Sequence, residues 1–203
     1  MPSSGGTSEF LVNPLVTRFR LRRNAIYVLV VEPDLTLRLP REDEEQEFLR
    51  AHHATSPETP SFLHFYEEGM PLRRYLEVLS AQERDVVQSP DVVPETFLFA
   101  FVGPRIVGRV AIRHALNDFL EQFGGHIGYV LVPEFRRRGY ATSILRLSIQ
   151  FARHRLGIRR ILVTCRDNNV ASIRTIEKNG GVLDDIVTPP DGIRMRRYWI
   201  DAG

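Results

Sequence analysis

The chain has 203 residues, of which 43% are hydrophobic, so it can bury one sizeable core and we expect a single domain. Its 27 basic and 25 acidic residues nearly cancel to a net charge of +2, which argues against a nucleic-acid partner. The single cysteine excludes an intramolecular disulfide, and no spacing of cysteine and histidine indicates a bound metal.

The N-terminal region is predicted to be an extension over residues 1–31, followed by the domain over 32–203. The first nine residues are rich in Ser, Gly and Thr, which is typical of disordered segments. The stretch RFRLRRN alternates basic and apolar residues and fits either an added edge strand or an ordered arm. The apolar run AIYVLVV is far too short to cross a membrane and no leader pattern precedes it, so we expect a cytoplasmic protein with no membrane partner.

The first half of the domain is predicted to be one strand followed by helices. DLTLRLP, residues 34–40, alternates apolar and polar residues as a half-buried strand does. The acidic segment EDEEQEFLRAHHA suits a helix with negative charge in its first turn. Apolar residues recur at helical spacing over 69–85 and predict a second helix.

The second half of the domain changes to a strand pattern. Three strands are predicted over 96–102, 105–113 and 126–132, with a tight hairpin at Gly103 and Pro104 between the first two. The remaining predicted elements are a helix from Gly139, a strand at 159–165, a helix at 170–179 and two terminal strands. Strands before and after a crossover helix predict a mixed α/β sheet rather than a fully alternating one.

The most informative stretch is FRRRGYATS, residues 135–143, between a predicted strand and a helix. Such a junction presents unpaired backbone N–H groups and the positive end of a helix dipole. Gly139 permits close backbone approach, and three arginines add positive charge, so the turn suits a pyrophosphate; an ordinary solvated turn is the alternative. No Gly-Lys-Ser or Gly-Lys-Thr step and no G-x-G-x-x-G motif occurs, which argues against a nucleoside triphosphate or a nicotinamide dinucleotide.

Two motifs in order make the chain resemble the GCN5-related N-acetyltransferase (GNAT) family. The first is the family's diphosphate-binding signature, Arg or Gln, two variable residues, Gly, a variable residue, then Gly or Ala, which is matched at 136–141. The second is Asn169 at the start of the next predicted helix, with Lys178 and Gly180 at its end. The order of elements from about residue 34 to 200 also fits. More narrowly, the region around the signature looks like a bacterial subgroup of predicted acetyltransferases.

The resemblance implies a GNAT fold of the α/β (α+β) class. This fold has a central mixed, mostly antiparallel twisted sheet of six to seven strands, flanked by about four helices and splayed at the cofactor-binding strand. The implied cosubstrate is acetyl-CoA, without a metal. The implied cofactor-binding residues are Val130, Leu131 and Val132 beside the pantetheine, Arg136, Arg137, Arg138, Gly139, Tyr140, Ala141 and Thr142 at the pyrophosphate, and Asn169 and Ser172 near the pantetheine arm. Asn169 equally suits a helix N-cap.

The implied reaction is direct attack of a neutral amine on the thioester, which needs a base and a polarised carbonyl. His126 is the first candidate base because a histidine titrates near neutrality, and capping a strand end is its alternative role. Glu134 is the second candidate base, although a position just beyond Pro133 also suits solvent exposure. A strand N–H near Leu131 or Val132 is expected to polarise the carbonyl.

The sequence departs from the family at the acid that protonates the leaving thiolate. The family's usual tyrosine, seven residues after the asparagine, is Ile176 here. Tyr129, Cys165 and Ser172 are the candidate substitutes, and a small buried hydrophobe is the alternative role of Cys165.

The leading functional hypothesis is an N-acetyltransferase acting on a primary amine of a small molecule or peptide. A catalytically silent acetyl-CoA-binding module is the second, because the usual tyrosine is missing. A nucleic-acid binder ranks last, because no aromatic residues interleave with the arginines. The acidic residues within 41–95 either attract a cationic amine or solvate a helix face. A homodimer is one of the oligomeric states that the sequence leaves open.

Overall fold

A computed structural model describes residues 18–22, 26–31, 35–55, 61–84 and 92–203. The strands of this part are β1 (Arg18–Arg22), β2 (Ile26–Val31), β3 (Leu35–Arg38), β4 (Glu95–Val102), β5 (Arg105–Arg113), β6 (Ile127–Leu131), β7 (Arg160–Arg166), β8 (Val182–Val187) and β9 (Met195–Asp201). Its α-helices are α1 (Glu45–Thr55), α2 (Leu72–Glu83), α3 (Tyr140–Leu156) and α4 (Val170–Lys178). Short turns of 3-10 helix lie at Glu42–Glu44 and Pro133–Phe135, and a π-helical turn lies at Leu120–Gly124.

The strands form two antiparallel sheets, one of six strands in the order β1-β2-β3-β4-β5-β6 and one of three in the order β7-β9-β8. The predicted mixed α/β architecture with largely antiparallel pairing is confirmed. The strand count exceeds the predicted six to seven because β1 and β2 add a hairpin at the edge of the larger sheet, beside β3. The edge-strand alternative for RFRLRRN is therefore the one adopted, and the predicted disorder of the first nine residues lies outside the described residues.

Strand β4 shows how the larger sheet is buried on both faces. Its sequence, ETFLFAFV, is almost continuously apolar, and every residue except Val102 is buried. Leu98 and Ala100 pack in the hydrophobic cluster that includes residues of α3 and α4, whereas Phe97 and Phe99 pack in the cluster that includes residues of α1 and α2. Because both faces are covered by helices, the strand lacks the polar alternation of a half-exposed strand. None of the helices in these described ranges is long and apolar enough to cross a membrane.

Backbone bonds join the two sheets at a place that we call the junction: Gly125 and His126 on one side, Leu162 and Val163 on the other. Gly125 and Val163 form an isolated bridge, and His126 N–H donates to Leu162 O at 2.7 Å. The Leu162 N–H in turn donates to Nδ1 of the His126 side chain at 3.0 Å. Beyond the junction, β6 and β7 share no registered pair in the described structure, so the strands splay apart.

Gly125 permits the close approach at the junction. Its φ is +68°, in the left-handed region, and a Cβ on it would lie 2.7 Å from the Leu162 carbonyl oxygen. Gly103, in the β4–β5 hairpin, also has a positive φ of +55°, but a Cβ there would meet nothing within 4 Å. The two glycines therefore share the backbone constraint and differ in the steric one.

We predict that Gly125→Ala lowers the free energy of unfolding more than Gly103→Ala does. The left-handed φ costs about 1–2 kcal/mol in both variants, and the contact with the β7 backbone adds roughly 1–3 kcal/mol at Gly125. Urea unfolding followed by circular dichroism measures both. Equal losses in the two variants would show that the junction tolerates a side chain.

Candidate active site

The predicted phosphate turn is present between β6 and α3. Arg137 and Gly139 both have left-handed backbone conformations, with φ of 62° and 84°, and α3 begins at Tyr140 directly after them. The backbone N–H groups of Arg137, Arg138 and Gly139 have no hydrogen-bond acceptor within the described part of the chain. Successive N–H groups in such a turn form a concave anion site, which the helix dipole reinforces.

The three arginines of this turn are exposed and have different surroundings. Arg136 donates from Nη2 to the Leu131 carbonyl oxygen at 3.1 Å. The Arg138 guanidinium lies 5.6 Å from the centroid of the Phe135 ring. Positive charge therefore surrounds the turn, while the Arg136 side chain also contacts the backbone of β6.

The edge of β6 that faces the splay carries free backbone groups. Val132 N–H donates to Val107 O at 3.0 Å, so it is engaged with β5. Because alternate residues of an antiparallel strand point their backbone groups to opposite sides, the N–H groups of Tyr129 and Leu131 face away from β5, towards β7. The sequence left the N–H groups of Leu131 and Val132 as candidates to polarise a thioester carbonyl. The Leu131 N–H is the one directed towards the splay.

A cavity of about 700 Å³ occupies the splay. Tyr129, Asn169 and Ser172 line it on the side of α4, and the loop residue His64 lines it together with Arg109 and Arg113 of β5. Its other lining residues include Phe119, Phe123, Thr164, Cys165, Arg166, Asp191 and Met195. Tyr129 packs on the α4 side of the sheet, whereas Arg109 contacts the loop before α2 on the other side. The cavity therefore reaches both faces of the sheet.

The predicted cofactor residues lie along one path. The segment 130–132 continues β6 from the cavity to the phosphate turn, and the side chains of Val130 and Val132 are buried in the core. Their contribution to a ligand would therefore come from the backbone. Tyr140, Ala141 and Thr142 form the first turn of α3 and are partly buried.

Asn169 occupies the N-cap of α4, where its Oδ1 accepts a hydrogen bond from Ser172 N–H at 3.1 Å. The capping role that the sequence allowed is therefore present. Asn169 and Ser172 also line the cavity, and the Asn169 side-chain amide retains its N–H donors for a ligand.

The structure does not support His126 as a base. Its imidazole is buried at the junction, outside the cavity lining, and Nδ1 already accepts the Leu162 N–H. Burial, together with the charge of Arg113, lowers the pKa of His126 to about 4. The alternative that the sequence left open, a histidine that caps a strand end, describes this position.

Glu134 is also separated from the cavity. Its Oε1 pairs with Arg50 Nη1 at 2.6 Å and with Arg105 Nη2 at 3.2 Å, on the side of α1. Two guanidinium groups stabilise the ionised carboxylate in this place, and the cavity lining does not include it. The geometry therefore assigns Glu134 to the contact between α1 and β5.

The acidic residues before and within α1 are likewise engaged in ion pairs. Glu44 pairs with Arg38 at 2.6 Å, and Glu47 pairs with Arg50 at 2.7 Å. Burial alone would raise the pKa of both carboxyl groups, but the hydrogen bonds from these arginines, the hydrogen bonds from backbone N–H groups and the charges of nearby arginines together outweigh it and lower the pKa. These carboxylates are structural and lie outside the cavity lining, so they do not offer a site for a cationic amine there.

Tyr129 is the predicted catalytic residue that the structure brings into the cavity. Its hydroxyl is buried close to Ser172 and Thr175 of α4, yet it makes no hydrogen bond of ordinary geometry with the described residues. Burial raises the pKa of the hydroxyl, so it stays protonated at neutral pH and remains a donor. Ile176, at the family's tyrosine position, is fully buried in the core.

The sequence analysis missed three polar residues on the opposite wall: His64, Glu95 and Arg109. His64 Nδ1 lies 3.0 Å from Glu95 Oε1, and Arg109 is 1% exposed. Burial lowers the pKa of Arg109 to about 10, which leaves it charged at neutral pH. No local pattern marks these residues, because they come from a loop and two strands that only the fold brings together.

The comparison with protein families decides the family. The model of the acetyltransferase (GNAT) domain matches residues 34–182, which include the phosphate turn, the cavity-lining part of β6 and α4. This match covers more than half of the chain. The chain belongs to the GNAT acetyltransferase family, whose members carry out acetyl-CoA-dependent acyl transfer. The family resemblance drawn from the two motifs is thereby confirmed.

Individual relatives agree with this assignment. The acetyltransferase is 31% identical over 65 residues to the uncharacterized N-acetyltransferase YnaD and 26% identical over 104 residues to the probable N-acetyltransferase YjcK, both of Bacillus subtilis. These matches cover 30% and 51% of this chain, and 38% and 55% of the two relatives, so the chain aligns with only part of each. RimL, a ribosomal L7/L12 alpha-N-protein acetyltransferase solved in complex with coenzyme A, shares the fold with a TM-score of 0.65 at 17% identity, over 86% of this chain and 97% of RimL.

Cys165 lines the cavity but is 6% exposed, and burial raises the pKa of its thiol to about 11. We predict that at pH 8 the native acetyltransferase reacts with Ellman's reagent at least roughly ten-fold more slowly than the chain unfolded in urea, because the thiolate is the reactive form. The absorbance of released thionitrobenzoate measures the rate. Cys165→Ser is the blank, since the chain has no other cysteine. Equal rates in the two states would contradict the burial of the thiol.

Proposed function

We propose that the acetyltransferase transfers the acetyl group of acetyl-CoA to a primary amine of a small molecule or peptide. The observation that carries the proposal is the continuity of one strand, β6, which lines the cavity at Tyr129 and ends at the phosphate turn. A pyrophosphate in the turn and a thioester in the cavity can therefore belong to one extended molecule.

The proposed cofactor contacts follow this path. The N–H groups of Arg137, Arg138 and Gly139, with those of the first turn of α3, bind the pyrophosphate. The backbone of Val130, Leu131 and Val132 runs beside the pantetheine, and Leu131 N–H is the proposed donor because it faces the splay. Asn169 and Ser172 reach the pantetheine arm from α4. When bound, acetyl-CoA supplies the activated acetyl group as a thioester.

The chemistry required of this chain is orientation, polarisation and proton transfer. Leu131 N–H is the proposed donor to the thioester carbonyl, where negative charge develops during attack. Tyr129 is the proposed donor to the leaving thiolate, because its hydroxyl is protonated, buried and without another acceptor of ordinary geometry among the described residues. Tyr129 reaches the cavity from β6 and so supplies the proton donor that Ile176, on α4, does not offer.

The acceptor class is supported by the cavity and by the fold neighbours. A volume of about 700 Å³ suits a small molecule or the first residues of a peptide. RimL, which shares the fold, is named for acting on the alpha amine of a ribosomal protein. A peptide amine is therefore the first acceptor to test, with small amines beside it.

A catalytically silent acetyl-CoA-binding module is the second candidate function. The observation in its favour is Ile176, which is buried and offers no acid at the family's tyrosine position. The two candidates share cofactor binding and differ in turnover.

We predict that Gly139→Glu weakens acetyl-CoA binding roughly ten-fold or more in isothermal titration calorimetry, because a carboxylate at the turn repels the pyrophosphate. The matched control is Gly157→Glu, which also has a left-handed φ, +70°, and open space, but lies at the other end of α3. The control should bind acetyl-CoA with nearly the affinity of the parent. Equal losses in both variants, or no binding by the parent, would contradict the proposed turn.

We predict that the parent chain releases coenzyme A in the presence of peptides beginning with serine, alanine or methionine, or of spermidine, and that mass spectrometry finds the acetylated product. The same peptides with a blocked N-terminus are the controls. Tyr129→Phe should lower kcat roughly ten- to a hundred-fold without changing acetyl-CoA affinity, because it removes only the proton donor. Tight cofactor binding without turnover of any acceptor would favour the silent module, and an unchanged kcat in Tyr129→Phe would contradict the role of the tyrosine.

A further inference from the structure

His64, Glu95 and Arg109 form a polar cluster on the wall of the cavity opposite α4. His64 lies in the loop before α2, Glu95 begins β4 and Arg109 lies in the middle of β5. His64 lines the cavity with a side chain that is 23% exposed, whereas the Glu95 side chain is only 6% exposed. The cluster thus has two members on the cavity lining, His64 and the almost fully buried Arg109, and Glu95 lies behind them.

Glu95 determines which nitrogen of His64 carries the hydrogen. Burial would raise the pKa of the Glu95 carboxyl, but the hydrogen bond and the electrostatic interaction with His64, together with the charges of Arg113 and Arg109, outweigh burial and lower it. The carboxylate is therefore ionised and accepts a hydrogen bond, which the His64 Nδ1–H donates over 3.0 Å. In the neutral imidazole, Nε2 then carries the lone pair.

Arg109 holds the loop that carries His64. Its Nε donates to Phe62 O at 2.8 Å, Nη2 donates to Ser61 O, and Nη1 donates to Gly128 O of β6 at 3.3 Å. One buried side chain therefore fixes the loop against the strand that lines the cavity. Arg109 Nη2 also donates a long hydrogen bond to His64 Nε2 over 3.4 Å, so an amine that approaches Nε2 has to displace this weak contact.

The groups around His64 come from every element packed against it. Glu95 and the Phe97 ring belong to β4, Arg109 and Arg113 belong to β5, and Tyr75 approaches from α2. Glu95 is the carboxylate in direct contact with the imidazole, Arg113 Nε lies 3.9 Å from Glu95 Oε2, and Arg109 Nη2 lies against His64 Nε2. This arrangement, a carboxylate that orients a histidine whose second nitrogen faces a reaction site, is the general form of an activated base.

We propose that His64, oriented by Glu95, is the base that accepts the proton of the attacking amine. This assignment rests on the proposed acetyl transfer. The amine nitrogen forms a bond to the acetyl carbon, the bond from that carbon to the coenzyme A sulfur breaks, and the amine proton passes to His64 Nε2. The sulfur leaves with the bonding electron pair and is protonated from the α4 side of the cavity, by Tyr129. His64 as the base and Tyr129 as the acid then lie on opposite walls of one cavity. Acetyl transfer from acetyl-CoA to a separate amine requires this placement, because the amine loses its proton on one side and the thiolate gains one on the other.

The test compares His64→Gln and His64→Ala with the parent, using acetyl-CoA and the four acceptors named above. Both variants should lose roughly a hundred-fold or more in kcat/KM, and the acetyl-CoA dissociation constant from calorimetry should change by less than about two-fold. Imidazole added to the buffer should restore part of the rate to His64→Ala, because it can occupy the space of the missing ring. His114→Gln is the matched control: His114 is half-buried and contacts Thr96 Oγ1 at 2.9 Å, but it lies outside the cavity lining.

Glu95 is a positioning residue in this assignment, and Glu95→Gln tests it. The amide keeps the shape but removes the charge that orients the Nδ1–H, so kcat should fall roughly ten-fold or more with little change in KM.

The outcomes separate this assignment from the function on which it rests. Parent turnover that His64→Gln leaves unchanged, or a His64→Ala variant that imidazole does not rescue, overturns the role of His64 alone. Absence of turnover in the parent, with acetyl-CoA still bound, overturns the proposed transfer and the assignment with it. Loss of acetyl-CoA binding in His64→Gln also overturns the assignment, because it would show a structural role.

Discussion

The junction that joins the start of β6 to β7 is the constraint on which the site depends. At Gly125 the backbones approach so closely that no side chain fits, and at His126 an imidazole nitrogen accepts the Leu162 N–H in the place of a strand carbonyl. The backbone hydrogen bonds between the strands therefore end at a side chain, which satisfies the Leu162 N–H where the strands diverge. The divergence opens the cavity and leaves the N–H of Leu131 directed into the splay.

The second constraint is the buried guanidinium of Arg109. A buried charge is costly unless it is paired and fully hydrogen-bonded. Here carbonyl oxygens of the loop and of β6 accept its hydrogen bonds, and Glu95 lies close enough to raise its pKa against the effect of burial. The same residue thus joins the loop of His64 to the sheet and places a histidine and its carboxylate on the cavity wall, where a base for the acceptor amine is needed.

The local backbone features, a turn at Gly139 and a helix cap at Asn169, were predicted well from the sequence. The phosphate turn is encoded within a few residues, because Gly139 permits a left-handed φ and the helix starts directly after it. Asn169 was expected either to cap a helix or to contact the cofactor, and its capping bond to Ser172 N–H is a local interaction over three residues. The candidate bases were predicted poorly. Position near the cofactor strand favoured His126 and Glu134, but their partners, Leu162, Arg50 and Arg105, are 29 to 84 residues away in sequence.

The sequence by itself determined the family, the order of strands and helices, and the phosphate turn, since all of these follow from short-range periodicity and from glycine, proline and arginine at fixed spacing. Only the tertiary structure decided which side chains meet in the cavity. His64 and Glu95 are 31 residues apart, and no local pattern links them. Their contact arises because the loop before α2 packs over β4 and β5, and such packing depends on shape and burial across the whole core rather than on any segment of it.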